Sequence, residues 1–449
     1  MKKSILKILA IAVPLLVIAF LIISKCTDLF SGSNPLKIDK TLTAYVTLEV
    51  EITQFIKESA VADAIDDTFN EIIEKTRADA SLSNQPVLDI FMHNFNIIAR
   101  PKGKSLISYF DMGDMLEFKE EKFIEKLNNR INDAVYQVKE VISTRLNISG
   151  FADAVIQKIG NRKLHIVIKG SCDEETMRKL ILTRGFLGFH LVKNNSMATE
   201  LFYKIDRIVS GKVIGNTSQT DKKSANTEDP YAGLSQEEVS KRYKADHPFT
   251  ILFQTLYQYP DNDRRTIAVN YVSNKFIEGD YSFIIEEKNL IKFDSILNIP
   301  EIKALYQYDF RILREANPSQ VFSKQTKNKF YNFHVIKLLP ELTGEVIADA
   351  SSGSEGKTNQ STVKLEMNVD GAERFARITG ENIKKRIAIV LDDFVYSVPR
   401  IQSKITGGNV QVSGMATAEE AKLMEIVLKA GALKAPLKLI GLKIEKQKN

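Results

Sequence analysis

The stretch "RIAIVLDDFVYSVPRIQ", Arg386 to Gln402, decides how the C-terminal half is read. Five apolar residues in a row are followed by two aspartates and a second apolar run that a proline breaks. Adjacent strand residues point to opposite faces, so Asp392 and Asp393 serve one substrate together only if they lie in a turn, and in a turn they sit in water. Aspartates tolerate left-handed backbone and hydrogen-bond their own turn, which makes them ordinary hairpin corners. The pair therefore predicts a corner between two strands, not catalytic machinery.

Outward from that corner the pattern is regular. Val363, Leu365, Met367 and Val369 alternate with polar residues, as in a strand with one buried face. Asp370, with Glu373 three residues on, predicts a helix start. Thr417 with Glu420 forms a second capping signal, before a helix that buries Ala421, Met424, Val427 and Leu428 and ends at Gly431. A last strand covers 437–444. The order β-α-β-β-α-β is the ferredoxin-like, split-βαβ arrangement, and the predicted fold class is α+β.

An upstream echo is visible. The stripe Phe123, Leu127, Ile131, Val135, Val138 and Ile142 predicts a long amphipathic helix. Strands at 154–159 and 164–169, a helix at 174–183 and a strand at 186–192 follow. Before them, "YVTLEVEI" (45–52) reads as a strand, and Ile65, Phe69, Ile72 and Ile73 recur at helical spacing. These elements, 36–209, form the first part of a base domain. Residues 210–246 and 349–361 are polar and read as linkers. They bracket an aromatic-rich block, 247–348, which reads as an inserted α+β head, and 362–446 is the C-terminal ferredoxin-like part of the base.

Residues 1–30 predict an anchor. Seventeen uncharged residues, "ILAIAVPLLVIAFLIIS", separate Lys7 from Lys25, enough for one membrane span. Lys2, Lys3 and Lys7 precede it against Lys25 after it, so the N-terminus is expected in the cytoplasm and the bulk of the chain outside. Lys25 stands where a cleaved signal peptide, or a lipoprotein anchored at Cys26, would want a small residue.

Composition narrows the chemistry. The net charge of +6 is spread over 62 basic and 56 acidic residues, which excludes a nucleic-acid stripe. Cys26 and Cys172 indicate no disulfide framework. His93, His165, His190, His247 and His334 are scattered without metal-ligand spacing. "SGSEGKT" has the end of a phosphate loop, but Ser351 stands where its first glycine belongs. No catalytic, cofactor-binding or metal-ligating set emerges, so neither an enzyme nor a cofactor is expected.

The motifs "GAERFARIT", "IAIVLDD", "VYSVPRI", "GGNVQVSG", "TAEEA" and "VLKAGAL" fall in the order and spacing of the first extracytoplasmic domain of SecD, and this region resembles that family. The stretch 143–170, with Arg145 and Gly150, is similar to its Arg-x-x-x-x-Gly segment and following strand pair. The resemblance implies a role in bacterial protein export, with the Sec channel, a SecF-like membrane subunit and unfolded preprotein as partners. Binding of emerging preprotein would need exposed apolar or edge-strand surface, which is expected in the aromatic-rich block. The sequence departs from the family at Leu42 and Thr43, where paired glycines are expected, and at Ala154 and Lys434 in place of prolines. Family members continue into further membrane helices; this sequence ends at Asn449. No titratable residue lies between Lys7 and Lys25, so use of the proton-motive force is expected to need partner helices. A divergent anchored scaffold is the alternative reading.

Overall fold

A computed structural model describes residues 36–111, 119–193, 195–211, 235–257, 267–270, 283–307, 309–319, 328–355 and 360–446. The expected anchor lies outside them. No helix among the described residues is long and apolar enough to cross a membrane. The chain divides into two compact units, one running to Thr183 and resuming at Lys434, the other spanning Arg184–Leu433.

The first unit opens with β1 (Asp39–Val50), then α1 (Ile52–Glu58), α2 (Asp67–Leu82), α3 (Val87–Ile98) and the long α4 (Glu120–Ile148). After these come β2 (Val155–Ile159), β3 (Lys163–Ser171), α5 (Glu174–Leu182) and, beyond the second unit, the final strand β16 (Leu437–Lys446). The four strands form one antiparallel sheet in the order β16-β1-β3-β2. Alternate residues Ala44, Val46, Leu48 and Val50 on β1, and Leu164, Ile166 and Ile168 on β3, are buried, while Tyr45 and Val155 face outward and are exposed. One face of this sheet is thus covered and the other open. All six residues of the predicted α4 stripe are buried.

Two features the resemblance singled out are structural. The Arg145 guanidinium, fully buried, donates to the Leu180 carbonyl at 3.2 Å and the Thr183 carbonyl at 2.5 Å. It therefore satisfies orphan carbonyls at the end of α5. Gly150, at φ +95°, lets the chain turn after α4. Sequence reading missed α3, whose Phe91 and Phe95 join Phe69, Tyr109, Phe110 and Phe123 in a chain of edge-on and tilted rings.

The described residues of the second unit form three sheets. β4 (Leu187–Leu191), β10 (Leu342–Thr343), β13 (Ile387–Leu391) and β14 (Phe394–Ser397) line up as β10-β4-β13-β14. β11 (Ile347–Glu355), β12 (Gln360–Met367) and β15 (Asn409–Val412) form β11-β12-β15. β5 (Phe253–Tyr257), β6 (Ile267–Asn270), β7 (Phe283–Glu286), β8 (Phe310–Arg314) and β9 (Phe330–Lys337) form β6-β5-β7-β9-β8. Among the described residues, six helices accompany them: α6 (Asn195–Val209), α7 (Gln236–Asp246), α8 (Leu290–Leu297), α9 (Pro300–Lys303), α10 (Val369–Glu381) and α11 (Ala418–Ala430).

The apolar run of β13 now has its reason. Ile387, Ile389 and Leu391 enter a core with Phe189, Phe375 and Met424. Ala388 and Val390 point the other way, into a second core with Ile336 and Val395. A strand covered on both faces has no solvent side to mark with polar residues. β9 behaves likewise: Tyr331, Phe333 and Val335 fill a third core with residues of α6 and α8, while Ile336 faces β13.

This layering corrects the expectation that 362–446 shares one ferredoxin-like sheet. β12 and β15 pair with β11, β13 and β14 pair with β4, and β16 pairs with β1 in the other unit. The strand read at 186–192, assigned upstream, is β4 and belongs beside β13. Periodicity gives a strand its faces but not its partners. Both segments read as linkers hold structure too: α7 occupies 236–246, and residues 349–355 and 360–361 are β-hairpin strands. The hairpin is fixed where Glu425 of α11, 7% exposed, accepts from the Ser352 amide at 3.0 Å and its hydroxyl at 2.5 Å.

Candidate functional site

The aspartate pair occupies the hairpin corner, with φ +48° and +70°, the left-handed pair that a two-residue turn needs. The two carboxylates diverge. Asp392 accepts from the Gly185 and Phe186 amides at 3.0 and 2.8 Å, and Asp393 pairs with Arg311. Each aspartate ties the hairpin to a different neighbour.

The histidines are equally dispersed in role. His93 is exposed on α3, and His165 lies half-buried on β3. His247 contacts Asp206 at 3.3 Å, and buried His334 contacts Glu315 at 3.0 Å. Cys172 is buried, and the glycine-lysine-threonine end of "SGSEGKT" lies outside the described residues.

Among the described residues of the aromatic block, Ile291 and Leu339 are exposed, but the rings whose burial is described turn inward. Phe249, Phe283, Phe293, Phe330, Tyr331 and Phe333 are all 8% exposed or less. Phe249 stacks on Phe293 at 5.2 Å, and Phe293 meets Phe333 at 4.8 Å. Rings of this size are what a small α+β layer uses to fill its interior.

An open apolar groove lies instead at the start of α10. Asn368 caps the helix, its side-chain oxygen accepting from the Gly371 amide at 2.8 Å; the expected cap, Asp370, is one residue inside the helix. The facing loop is tied at both ends. The Ile405 amide donates to Thr379 Oγ1 at 3.0 Å, and the Gly408 carbonyl accepts from the Met367 amide at 2.9 Å. Gly408 is at φ +64°, and a Cβ there would stand 2.8 Å from that of Ala372, so only glycine lets the loop come this close. A Cβ on Gly371 would stand 2.6 Å from Val346 Cβ, which seats the helix against the chain entering β11.

Between helix and loop runs a groove of about 600 Å³, lined by Met367, Val369, Ala372, Glu373, Lys404 and Thr406 among others. Val369, expected to be buried as the last alternating strand residue, begins the helix and is 79% exposed. The groove is mainly apolar, with one acid and one base at its rim, and its size suits aliphatic side chains. Sequence reading missed it; the doubled glycine at 407–408 was the available signal.

Residues 319–435 match the family model "SecDF, P1 head subdomain", so the groove lies wholly within the matched segment. This segment overlaps the head expected at 247–348 only over 319–348. The chain is 30% identical over 399 residues to the protein translocase subunit SecD of Rhodothermus marinus, covering 88% of this chain and 60% of the relative. It is 44% identical over 107 residues to the SecD of Calditerrivibrio nitroreducens, covering 24% and 21%. The chain thus spans about three fifths of the first relative's length. A solved structure titled "Structure and function of a membrane component SecDF that enhances protein export" aligns at 21% identity over 69% of this chain and 92% of that one, with a TM-score of 0.34, too low to bear on the fold. On the matched segment and the long alignment, the chain is similar to SecD proteins over most of its length.

Proposed function

We propose that the chain is an accessory component of the Sec protein translocase, whose extracytoplasmic part binds emerging, unfolded preprotein at the α10 groove. One observation carries the reading: the segment matching the P1 head subdomain builds an open, mainly apolar groove with Val369 79% exposed on its bank. Exposed apolar surface of this kind suits extended polypeptide of varied sequence. The segment Ile8–Ser24 is taken as the single membrane anchor, with the N-terminus cytoplasmic and the remainder periplasmic. The first unit is taken as a ferredoxin-like base, in keeping with its β-α-β-β-α-β order and β16-β1-β3-β2 sheet.

The proposed partners are the Sec channel and a SecF-like membrane subunit, through whose helices any proton-motive force would be drawn. The role is non-enzymatic and requires no cofactor. Purification of the full chain from membranes in mild detergent is expected to bring down both the channel and the SecF-like subunit; recovery of neither would contradict the proposal. The scaffold alternative rested on the missing glycines. Leu42 and Thr43 lie within β1, where Thr43 meets Lys169 and Gly170 at an irregular step, and the strand forms around them.

A further inference from the structure

We propose that His190 is a proton-responsive pin on the crossover between the five-stranded sheet and the β10-β4-β13-β14 sheet of the second unit. The chain leaves β9 at Lys337, passes Leu339 (67% exposed) and Pro340, and enters β10 at Leu342. Three hydrogen bonds hold this link. The Leu338 amide donates to the Asp309 carbonyl at 2.9 Å, the Glu341 amide to the Phe189 carbonyl at 2.8 Å, and His190 Nδ1 lies 2.9 Å from the Lys337 carbonyl.

The imidazole is 4% exposed, and its Nε2 side abuts Gly188, where a Cβ would come within 2.6 Å of the ring nitrogen. A neutral ring, Nδ1–H donating to Lys337, fits that enclosure. A protonated ring carries a second donor and a charge into it. The charged groups facing it are Arg311 from β8, Glu341 from the crossover and Asp393 from the hairpin corner. Glu341 also holds Lys337 Nζ at 2.7 Å, and Asp393 is paired with Arg311. Burial, with Arg311 adding to it, outweighs the hydrogen bond to the Lys337 carbonyl and the two acids, all of which favour the charged ring, and holds the imidazole below its ordinary value. Acidification therefore favours conformers in which the ring reaches water and the Lys337 carbonyl is released.

The test is amide hydrogen exchange on the full chain in nanodiscs, corrected for intrinsic rates, between about pH 7.5 and pH 5.0. Protection over 337–342 is expected to fall at least about fivefold more than over β12 of the same chain, a strand without histidine. His190→Gln keeps an amide donor but does not titrate, and is expected to abolish the difference. Equal loss of protection in the two segments, or an undiminished difference in His190→Gln, would overturn the proposal. Should that variant fail to fold, the wild-type comparison decides alone.

Discussion

Arg145 and Glu425 are buried charges whose partners are backbone groups as much as opposite charges. Replacing Arg145 by Met keeps much of the volume but leaves the Leu180 and Thr183 carbonyls without their donor. The expected loss is about 3 kcal/mol, read by chemical unfolding. Glu425 differs in being titratable. Burial pushes its carboxyl up, but hydrogen bonds from Lys422 and Ser352 outweigh it and hold it below the ordinary glutamate value of 4.5. The folded state thus binds its proton more weakly than the unfolded chain. The resulting stability is present above that ordinary value and is lost as pH falls through the folded one. Glu425→Gln is expected to flatten the acid limb of a stability-versus-pH curve, and an unchanged limb would count against the Ser352 contact.

At the scale of elements, the glycines and the doubly buried strands explain what could be read from sequence and what could not. Gly408→Ala forces a side chain onto left-handed backbone 2.8 Å from Ala372. A cost of about 1–3 kcal/mol is expected by thermal unfolding. Helix spacing was legible in α4, which shows water one face, and the Gly431 ending of α11 is where the sequence puts it; α11 itself also buries Leu423 and Ile426 outside the expected stripe, and Leu428 is only partly buried. The alternation "LKLIGLKIEK" of β16 matches a half-open sheet, whereas "IAIVL" and "LGFHL" carry no alternation because both faces are covered. That contrast was available in the sequence, but grouping elements by their order hid it. The groove was harder to see, because Val369 continues an alternation that the structure breaks at the Asn368 cap. The serine-rich segment 349–361 reads as linker because the stability of its strands comes from cross-strand pairing and the distant Glu425, neither visible in local composition.

For the whole molecule, the two units meet along the chain at Thr183–Arg184 and Leu433–Lys434. The Leu433 amide donates to the Arg184 carbonyl at 2.7 Å, so the second unit begins and ends at one point. Joining Thr183 to Lys434 through two or three glycines is expected to leave the first unit folded, with β16 still paired to β1. Loss of its strand signature in circular dichroism would contradict the division. Separability matters for function, because the unit that carries the groove can then be varied without disturbing the other.

Capture of emerging polypeptide at the α10 groove is tested most directly by a photoreactive phenylalanine at Val369 in the full chain, illuminated while an export intermediate is arrested in the channel. Adducts to the preprotein are expected at Val369 and at Thr406 on the facing loop, and not at Tyr136, which is 65% exposed on α4 of the other unit. Labelling at Tyr136 as strong as at Val369, or none at the groove while the intermediate is demonstrably held, would contradict the account.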